Sequence, residues 1–237
     1  MPAPRQRITV MTTSTSHVDS NPQQVLYNPN SSKNSNAPKV DDLYHFGEHD
    51  WHVLDVQNGQ ALLLSVEILK QKPYNKKHGD IWGDCTLRTY LNDKFFNKFS
   101  QADRIRIVET KIITKANLWY GHGMPDKDTG NVTTDKIFLL NLEEVDYYFG
   151  NSGDYHNQKF KQKYEWQLFG SDNTLIISNI HNLSRIASYS YQYSHWWLRS
   201  SGKSGYVAYV ETDGSVNVYG KSSKDESGVR PALWINI

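Results

Sequence analysis

A two-residue turn signal, Asn58-Gly59, separates two apolar segments and constrains the fold more than any other feature of the sequence. Both residues accept positive φ angles, so the pair predicts a type I′ turn that joins two antiparallel strands within Asp50–Val66. Alternation along the strands predicts two faces, which consist of Leu54, Val56, Ala61 and Leu63 and of Trp51, Val53, Leu62 and Leu64. Because both faces are apolar, we expect this hairpin to be covered on both sides and to be central in a sheet.

Three helices are predicted in the middle of the chain from apolar spacing and capping residues. They are Thr86–Asn97 with Asp84 as its cap, a short helix starting at the Ser100 and Asp103 pair, and about Leu142–Phe149 with Asn141 as its cap, Glu144 three residues on and Gly150 as its stop.

Strands are predicted on both sides of these helices. They are Arg106–Lys115, the strand-like Ile137–Leu140, Trp196–Arg199, Tyr206–Thr212, Ser215–Tyr219 after a second type I′ signal at Asp213-Gly214, and a closing strand Val229–Ile237 with Val229, Leu233, Ile235 and Ile237 on one face. Pro231 lacks an N–H and marks a strand start, a bulge or an edge. The order predicts an α+β fold of mostly antiparallel strands with about three helices, closed by pairing of the two ends.

Residues 1–40 are rich in Ser, Thr, Asn and Pro and hold few large apolar groups. Such a segment buries too little surface to offset its ordering entropy, so we expect a disordered leader or stalk over 1–40 and one domain over 41–237. The apolar runs are far shorter than the ~20 residues of a membrane span, so none is predicted. No apolar stretch follows Arg5 and Arg7, so no secretory signal is predicted either.

The charge balance argues against a nucleic-acid partner. Lys and Arg number 26 and Asp and Glu number 25, which gives a formal net charge of +1. A nucleic-acid binder normally carries a basic excess on one face.

Aromatic residues make up 13% of the chain, and tyrosine is the largest share. Their apolar faces and polar tips suit ligand contacts as well as packing between strands.

Several motifs resemble a family of uncharacterised bacterial and phage domains over about residues 41–237. They are Trp196-Trp-Leu-Arg-Ser200, Gly228-Val-Arg-Pro-Ala-Leu233, Phe46-Gly-Glu-His-Asp-Trp51 leading to Leu54, Trp82 followed by Thr86-Leu-Arg-Thr-Tyr-Leu-Asn92, and Asp135-Lys-Ile-Phe-Leu-Leu140. The resemblance implies a C-type-lectin-like fold, similar to that of formylglycine-generating enzymes and of phage receptor-binding variable proteins. It implies no activity, because fold and function separate readily.

The chemistry of those relatives does not carry over to this sequence. A formylglycine-generating oxidase needs paired thiolates around a soft metal, and Cys85 is the only cysteine. The calcium ligands of sugar-binding relatives, paired Glu/Asn or Gln/Asp around a Pro, are missing. Asp126-Lys-Asp-Thr-Gly130 resembles an oxygen-ligand loop, but Ile137 stands where an EF-type loop needs Glu. We therefore expect neither a cofactor nor a metal.

Other candidate groups for chemistry have simpler interpretations. If 45–52 is extended, His52 points away from His45 and His49, which disfavours a metal site. Three acidic residues, Glu143, Glu144 and Asp146, lie at a helix start, where they complement the helix dipole. Because no nucleophile or phosphate-loop motif occurs, we expect no catalytic residue.

The motif residues are expected to be structural. Arg199 and Arg230 each interrupt an apolar strand. A buried Arg needs a carboxylate or carbonyl partner, and by binding that partner it can fix the register of its strand. We predict that Trp196 and Trp197 pack in the core. Pro231 belongs to the same structural set.

The strongest functional signal is the run Ser188-Tyr-Ser-Tyr-Gln-Tyr-Ser-His195, whose Tyr and Ser content is typical of antibody-like binding surfaces. An extended backbone would place its aromatic residues on one side. The predicted ligand-binding residues are Tyr189, Tyr191, Tyr193, His195, Lys203, Tyr206, Asn217 and Tyr219. The alternative is a strand edge or loop whose tyrosines pack locally.

Three functions remain open from the sequence. The first is a non-enzymatic recognition module that binds a protein or glycan surface, as in the variable phage proteins. The second is a structural or assembly domain of a phage or cell-surface protein, and the third is an enzyme of unrecognised type. We expect a chain that stays cytoplasmic as synthesised or is displayed on a phage particle.

Overall fold

The computed structural model of the protein describes residues 37–115, 117, 131–149, 166–169, 174–177 and 181–237. Pro38–Ile237 form one compact unit. The expectations for most of the leader 1–40, for the loop 126–130 and for Gly150 as a helix stop lie outside the described residues.

The described residues contain fifteen strands and four α-helices. The strands are β1 (Leu43–Phe46), β2 (His49–Gln57), β3 (Gln60–Ser65), β4 (Lys70–Pro73), β5 (Thr110–Thr114), β6 (Asn131–Asp135), β7 (Trp166–Phe169), β8 (Thr174–Ile177), β9 (Ser188–Tyr189), β10 (Gln192–Tyr193), β11 (Trp196–Ser201), β12 (Tyr206–Val210), β13 (Val216–Ser222), β14 (Glu226–Val229) and β15 (Ala232–Asn236). The helices are α1 (Thr86–Tyr90), α2 (Gln101–Arg106), α3 (Leu142–Phe149) and α4 (Asn182–Arg185).

The first sheet joins the two ends of the unit. Its order is β1-β2-β3-β15, and all of its pairings are antiparallel. Strand β15 runs along β3 from Ala232 opposite Leu64 to Asn236 opposite Gln60. The predicted pairing of the two ends is therefore confirmed, and the β2–β3 hairpin is central as expected.

The turn of this hairpin has the predicted geometry, since φ is 51° at Asn58 and 72° at Gly59. Both faces of β3 are buried, through Ala61, Leu62, Leu63 and Leu64. The faces predicted for β2 are wrong in its first half, because the register shifts between Val53 and Asp55.

The shift reverses which residues of β2 share a face with which residues of β3. Val53 lies opposite Leu63, and Trp51 lies opposite Ser65. Both side chains therefore join the face of Leu63, contrary to the prediction. A β-bulge, which adds one residue to one strand, is the physical reason.

The second sheet has seven strands in the order β4-β14-β11-β12-β13-β8-β7. Among the described strands, every pairing is antiparallel except that of β11 with β14, where Trp196 lies opposite Gly228. Two small pairs, β5–β6 and β9–β10, complete the set. The prediction of an α+β fold with mostly antiparallel strands is confirmed, with four helices instead of about three.

The closing segment of the chain passes from one sheet to the other. Strand β14 belongs to the second sheet and β15 to the first, so the prediction of one strand over Val229–Ile237 is wrong. Arg230 and Pro231 connect the two strands, and Pro231 marks a strand start. A Cβ at Gly228 would lie 2.7 Å from the His195 carbonyl oxygen, so the close approach of β14 and β11 requires glycine.

The predicted helices form with one change of cap. Asp84 does not cap α1; the Cys85 Sγ accepts a hydrogen bond from the Arg88 N–H instead. The helical path continues beyond α1 as a π turn over Leu91–Phe95 and a 3-10 turn over Phe96–Lys98.

The other two capping predictions are confirmed. Ser100 Oγ accepts from the Asp103 N–H at 3.1 Å at the start of α2. At α3 the Asn141 and Glu144 side chains accept from each other's backbone N–H groups, at 2.7 and 2.9 Å.

Two predicted strands are shorter than expected. Helix α2 extends to Arg106, so the strand predicted over Arg106–Lys115 begins only at Thr110. Within Ile137–Leu140, Phe138 makes a single bridge to Ala232, and all four residues are buried.

The second predicted type I′ turn is wrong. Gly214 has a positive φ of 81°, whereas Asp213 is not among the residues with positive φ. The turn closes instead through a Gly214 N–H bond to the Glu211 carbonyl, and the Asp213 carboxylate accepts from the Ser215 N–H. An Asp side chain that bonds the backbone two residues on stabilises an Asx-type turn.

Candidate functional site

The Tyr/Ser run forms a tight hairpin, and the prediction of one extended strand is wrong. Strands β9 and β10 pair with Tyr189 opposite Gln192 and Tyr193 opposite Ser188. Cross-strand partners share a face, so Tyr189 and Tyr193 lie on opposite faces of the hairpin.

The turn of this hairpin has positive φ at both central residues, 51° at Ser190 and 66° at Tyr191. Left-handed backbone is rare for an aromatic residue because its Cβ crowds the following carbonyl oxygen. Tyr191 is 100% exposed and Tyr193 is 69% exposed, whereas Tyr189 is half-buried against the core. The hairpin thus presents two of the three predicted tyrosines to solvent.

His195 lies two residues beyond the hairpin and contacts the second sheet. Its ring centroid lies 5.9 Å from that of Tyr209, and its Nε2 lies 3.3 Å from the Glu226 carbonyl oxygen. Burial lowers the pKa of His195, and the positive charge of Lys221 lowers it further.

Asn217 is buried, at 6% exposure, and its side chain is occupied within the protein. Its Nδ2 donates to Tyr209 Oη at 3.1 Å and to Glu211 Oε1 at 3.0 Å, and its Oδ1 accepts from the Gly220 N–H. Tyr209 Oη donates to the same Glu211 oxygen at 2.7 Å. Asn217 therefore orients Tyr209 and Glu211, and little of it is accessible for a direct contact.

Lys221 completes this group and was not among the predicted ligand-binding residues. Its Nζ lies 5.1 Å from the Trp197 ring centroid and 5.2 Å from that of Tyr209, and donates to the Glu226 carbonyl at 3.1 Å. Burial lowers the pKa of Lys221 to about 8, against opposing effects of Asp225 and Glu211. Tyr209 was likewise not among the predicted ligand-binding residues, although it lies on β12 with the predicted Tyr206.

The other three predicted residues form a separate group at the start of β12. The rings of Tyr206 and Tyr219 meet edge to face at 5.7 Å. Lys203 Nζ lies 5.1 Å from the Tyr219 ring, and the Lys203 N–H donates to the Tyr219 carbonyl at 2.7 Å. Tyr206 is 37% exposed, so this group is only partly accessible.

Arg199 is buried and makes a forked ion pair. Its Nη1 and Nη2 donate to the two Glu144 carboxylate oxygens at 2.5 and 2.6 Å, and its Nε donates to Thr114 Oγ1. It also donates to the Leu139 carbonyl. One side chain of β11 thereby holds α3 and β5, so Glu144 does more than complement a helix dipole.

Arg230 is equally buried, but its partners are carbonyl groups and aromatic rings. Its Nε donates to the Ser65 carbonyl at 2.8 Å and its Nη1 to the Arg185 carbonyl at 3.5 Å. The guanidinium lies 5.1 Å from the Trp196 ring centroid and 5.8 Å from that of Phe149. Burial lowers the pKa of Arg230 to about 9.

Trp196 and Trp197 are both fully buried, and each indole N–H has a partner. Trp196 Nε1 donates to the Arg185 carbonyl at 3.0 Å, and Trp197 Nε1 donates to the Lys72 carbonyl at 2.9 Å. Cys85 is buried as well, and burial raises its pKa to about 11, which disfavours the reactive thiolate.

A cleft of about 230 Å³ lies on the first sheet, beside the turn between β1 and β2. His49 stacks on Phe95 at its edge. The cleft is smaller than the roughly 300–1,000 Å³ of typical small-molecule sites.

The extended run assumed for residues 45–52 is wrong, because β1 ends at Phe46 and β2 begins at His49. In the described parts of the chain, His, Cys, Asp and Glu form no group of three or more that could hold a metal.

A family model described as a domain of unknown function, DUF6273, matches residues 58–237. The chain therefore belongs to this family. Neither the curated proteins nor the solved structures include a match to the chain. None of the described helices is long and apolar enough to cross a membrane.

Proposed function

We propose that this member of the DUF6273 family is a non-enzymatic recognition module, which binds a protein or glycan surface through the β9–β10 hairpin and the adjoining His195 group. The C-type-lectin-like fold implied by the sequence motifs is part of this proposal. The α+β architecture with mostly antiparallel strands is compatible with it.

The observation that carries the proposal is that Tyr191 combines a left-handed backbone with a fully exposed side chain. A turn with two positive φ angles is most stable with Asn-Gly, and a left-handed L-residue costs roughly 1–2 kcal/mol. Tyr191 is 100% exposed, so it recovers none of this cost through burial. A residue that strains the backbone without a packing contact is expected where a binding contact uses it.

The neighbouring side chains have the chemistry of a protein or glycan contact. Tyr193 and Tyr209 add aromatic area with hydroxyl groups, and few rotatable bonds are frozen when such residues bind. Tyr209 is held in place by Glu211 and Asn217, which makes this part of the surface rigid. Rigid aromatic residues with satisfied polar tips are typical of interface anchors.

The roles of the titratable groups support a function without catalysis. Glu144 pairs with Arg199, Glu211 accepts from Tyr209 and Asn217, and burial disfavours the Cys85 thiolate. These side chains stabilise the fold or the surface. The assembly alternative would use the same hairpin against another copy or a larger protein.

The test replaces both exposed tyrosines, in a Tyr191→Ala/Tyr193→Ala variant, and screens it with the wild type on an immobilised glycan array and a panel of purified cell-surface proteins. We expect wild-type hits whose affinity falls by about 2 kcal/mol or more in the variant. Tyr147→Ala is the matched control, because Tyr147 is 58% exposed on α3.

Two outcomes would contradict the proposal. Hits bound equally by the wild type and the double variant would place the binding face elsewhere. A wild-type oligomer that the double variant dissociates, seen by sedimentation, would instead assign the hairpin to assembly.

A further inference from the structure

Four lysines lie near one another where the edge strand β4 meets helix α1. We call Lys70, Lys72, Lys76 and Lys94 the lysine cluster. Lys72 Nζ lies 4.4 Å from the Tyr90 ring centroid. Lys70 is two residues from Lys72 on β4 and shares its face, whereas Lys94 follows Tyr90 by four residues along the helical path.

The fourth lysine is placed by a backbone contact. The Lys76 N–H donates to Thr86 Oγ1 at 3.1 Å, and Thr86 lies one helical turn before Tyr90. Strand β4 and the loop after it therefore carry positive charge along the stripe formed by Thr86, Tyr90 and Lys94.

The cluster has little compensating negative charge. In the described part of the chain, no carboxylate lies within salt-bridge distance of any of its four ammonium groups. The pKa of Lys72 is lowered first by burial and then by Lys76, Lys70 and Lys94, whereas Glu226 opposes these effects. The chain as a whole carries a net charge of +1, so this concentration of like charge is local.

Protection of a sheet edge explains only part of this arrangement. Lysine and proline on an edge strand discourage pairing with another chain, and β4 carries Lys70, Lys72 and Pro73 at the edge of the second sheet. Lys94 lies on the helical segment and Lys76 in a loop, where no strand edge needs protection. Their proximity to Lys72 needs another reason.

The cluster adjoins the proposed recognition face. The Ile68 N–H, two residues before Lys70, donates to the Ser188 carbonyl at the base of the β9–β10 hairpin, at 2.9 Å. Strand β14 pairs with β4 on one side, and on the other its Glu226 carbonyl contacts His195 and Lys221. The strand that carries Lys70 and Lys72 is thus joined to the base of the hairpin and, through β14, to the His195 group.

We infer that the ligand of this face is an acidic polysaccharide, whose sulfate or carboxylate groups bind the lysine cluster while sugar rings contact the tyrosines. This inference rests on the proposed function. A nucleic acid fits less well, because the cluster contains no Arg for bidentate phosphate contacts.

The experiment measures binding of the full chain to dextran sulfate and to uncharged dextran of the same length, by calorimetry at low and high NaCl. We expect dextran sulfate to bind, with affinity that falls as salt screens the exposed charges. A Lys72→Gln/Lys94→Gln variant should bind about tenfold more weakly, since two charge contacts are removed. Lys39→Gln/Lys111→Gln, which removes two exposed lysines elsewhere, should bind like the wild type.

The comparison of ligands and the comparison of variants distinguish failure of this inference from failure of the proposed function. Equal binding of both dextrans, or no loss in the Lys72/Lys94 variant, overturns the acidic ligand; the recognition face stands if the Tyr191/Tyr193 variant still weakens binding. Tighter binding to single-stranded DNA than to dextran sulfate of equal charge overturns the polysaccharide assignment. Absence of binding to dextran sulfate also overturns it.

Discussion

Two hairpins of this protein make the same kind of turn from opposite kinds of sequence. In the β2–β3 hairpin the positive φ angles fall on Asn58 and Gly59, which accept them readily. In the β9–β10 hairpin they fall on Ser190 and Tyr191, which do not. The first turn follows local propensity, and the second opposes it.

The strands of the two hairpins also differ in burial. Strand β3 is buried on both faces and pairs on both edges, whereas both residues of β10 are exposed. The β2–β3 hairpin therefore stabilises the fold. The β9–β10 hairpin is held by the fold and presents side chains that contribute little to it.

The largest expected effect tests the buried hairpin. Leu63→Ala removes a fully buried side chain from the centre of the first sheet. We expect it to lower the free energy of unfolding by about 2–5 kcal/mol, through lost burial and the cavity left behind. Urea denaturation measures this loss. Leu43→Ala is the control, because Leu43 is 69% exposed in the same sheet and its replacement should change stability by within ~0.5 kcal/mol.

A second, smaller effect tests the link between the hairpins. Arg230 bonds the Ser65 carbonyl at the end of β3 and the Arg185 carbonyl just before β9. Arg230→Ala removes the donor from the Ser65 carbonyl, whereas the Arg185 carbonyl keeps the Trp196 indole N–H, so we expect a loss of about 1–3 kcal/mol. The loss should not exceed this by much, because no carboxylate among the described residues is left unpaired. A normal melting temperature with abolished ligand binding would show that Arg230 contacts the ligand.

Exchanging the two turn sequences tests the comparison directly. Ser190→Asn/Tyr191→Gly should raise the free energy of unfolding by about 1 kcal/mol, because it relieves the left-handed strain. Asn58→Ser/Gly59→Tyr should lower it by about the same amount. A Cβ at Gly59 would meet no atom within 4 Å, so strain and not a clash is measured. Equal stability of all three proteins would show that the two turns do not differ in this way.

The parts of the fold that were predictable depend on neighbours in the sequence. Asn58-Gly59 specifies its turn within two residues, and the Asn141–Glu144 capping box closes within one helical turn. The bulge in β2 and the passage of the chain between sheets at Arg230 depend on tertiary packing. No local pattern specifies either of them.

The candidate site was less predictable for the same reason. Ser190-Tyr191 contains neither Asn nor Gly, which favour two positive φ angles, so the run was interpreted as extended although its pairing makes it a hairpin. Lys221 reaches Trp197 and Tyr209 through a sheet register that shifts between β12 and β13. Asn217 was predicted to bind the ligand, but its side chain is buried and hydrogen-bonds within the protein.

The smallest expected effect concerns the stability of the exposed hairpin. Tyr191→Ala/Tyr193→Ala removes two side chains that are 100% and 69% exposed. Alanine keeps the Cβ, so the left-handed strain at position 191 remains, and the change isolates the ring contacts. We expect the free energy of unfolding to change by within ~0.5 kcal/mol, in contrast to the about 3–5 kcal/mol of a buried aromatic residue. Tyr74→Ala, which removes a fully buried ring, is the comparison for that larger value. A large loss in the double variant would show that these rings pack against the protein in solution, and the difference between the two hairpins would then disappear.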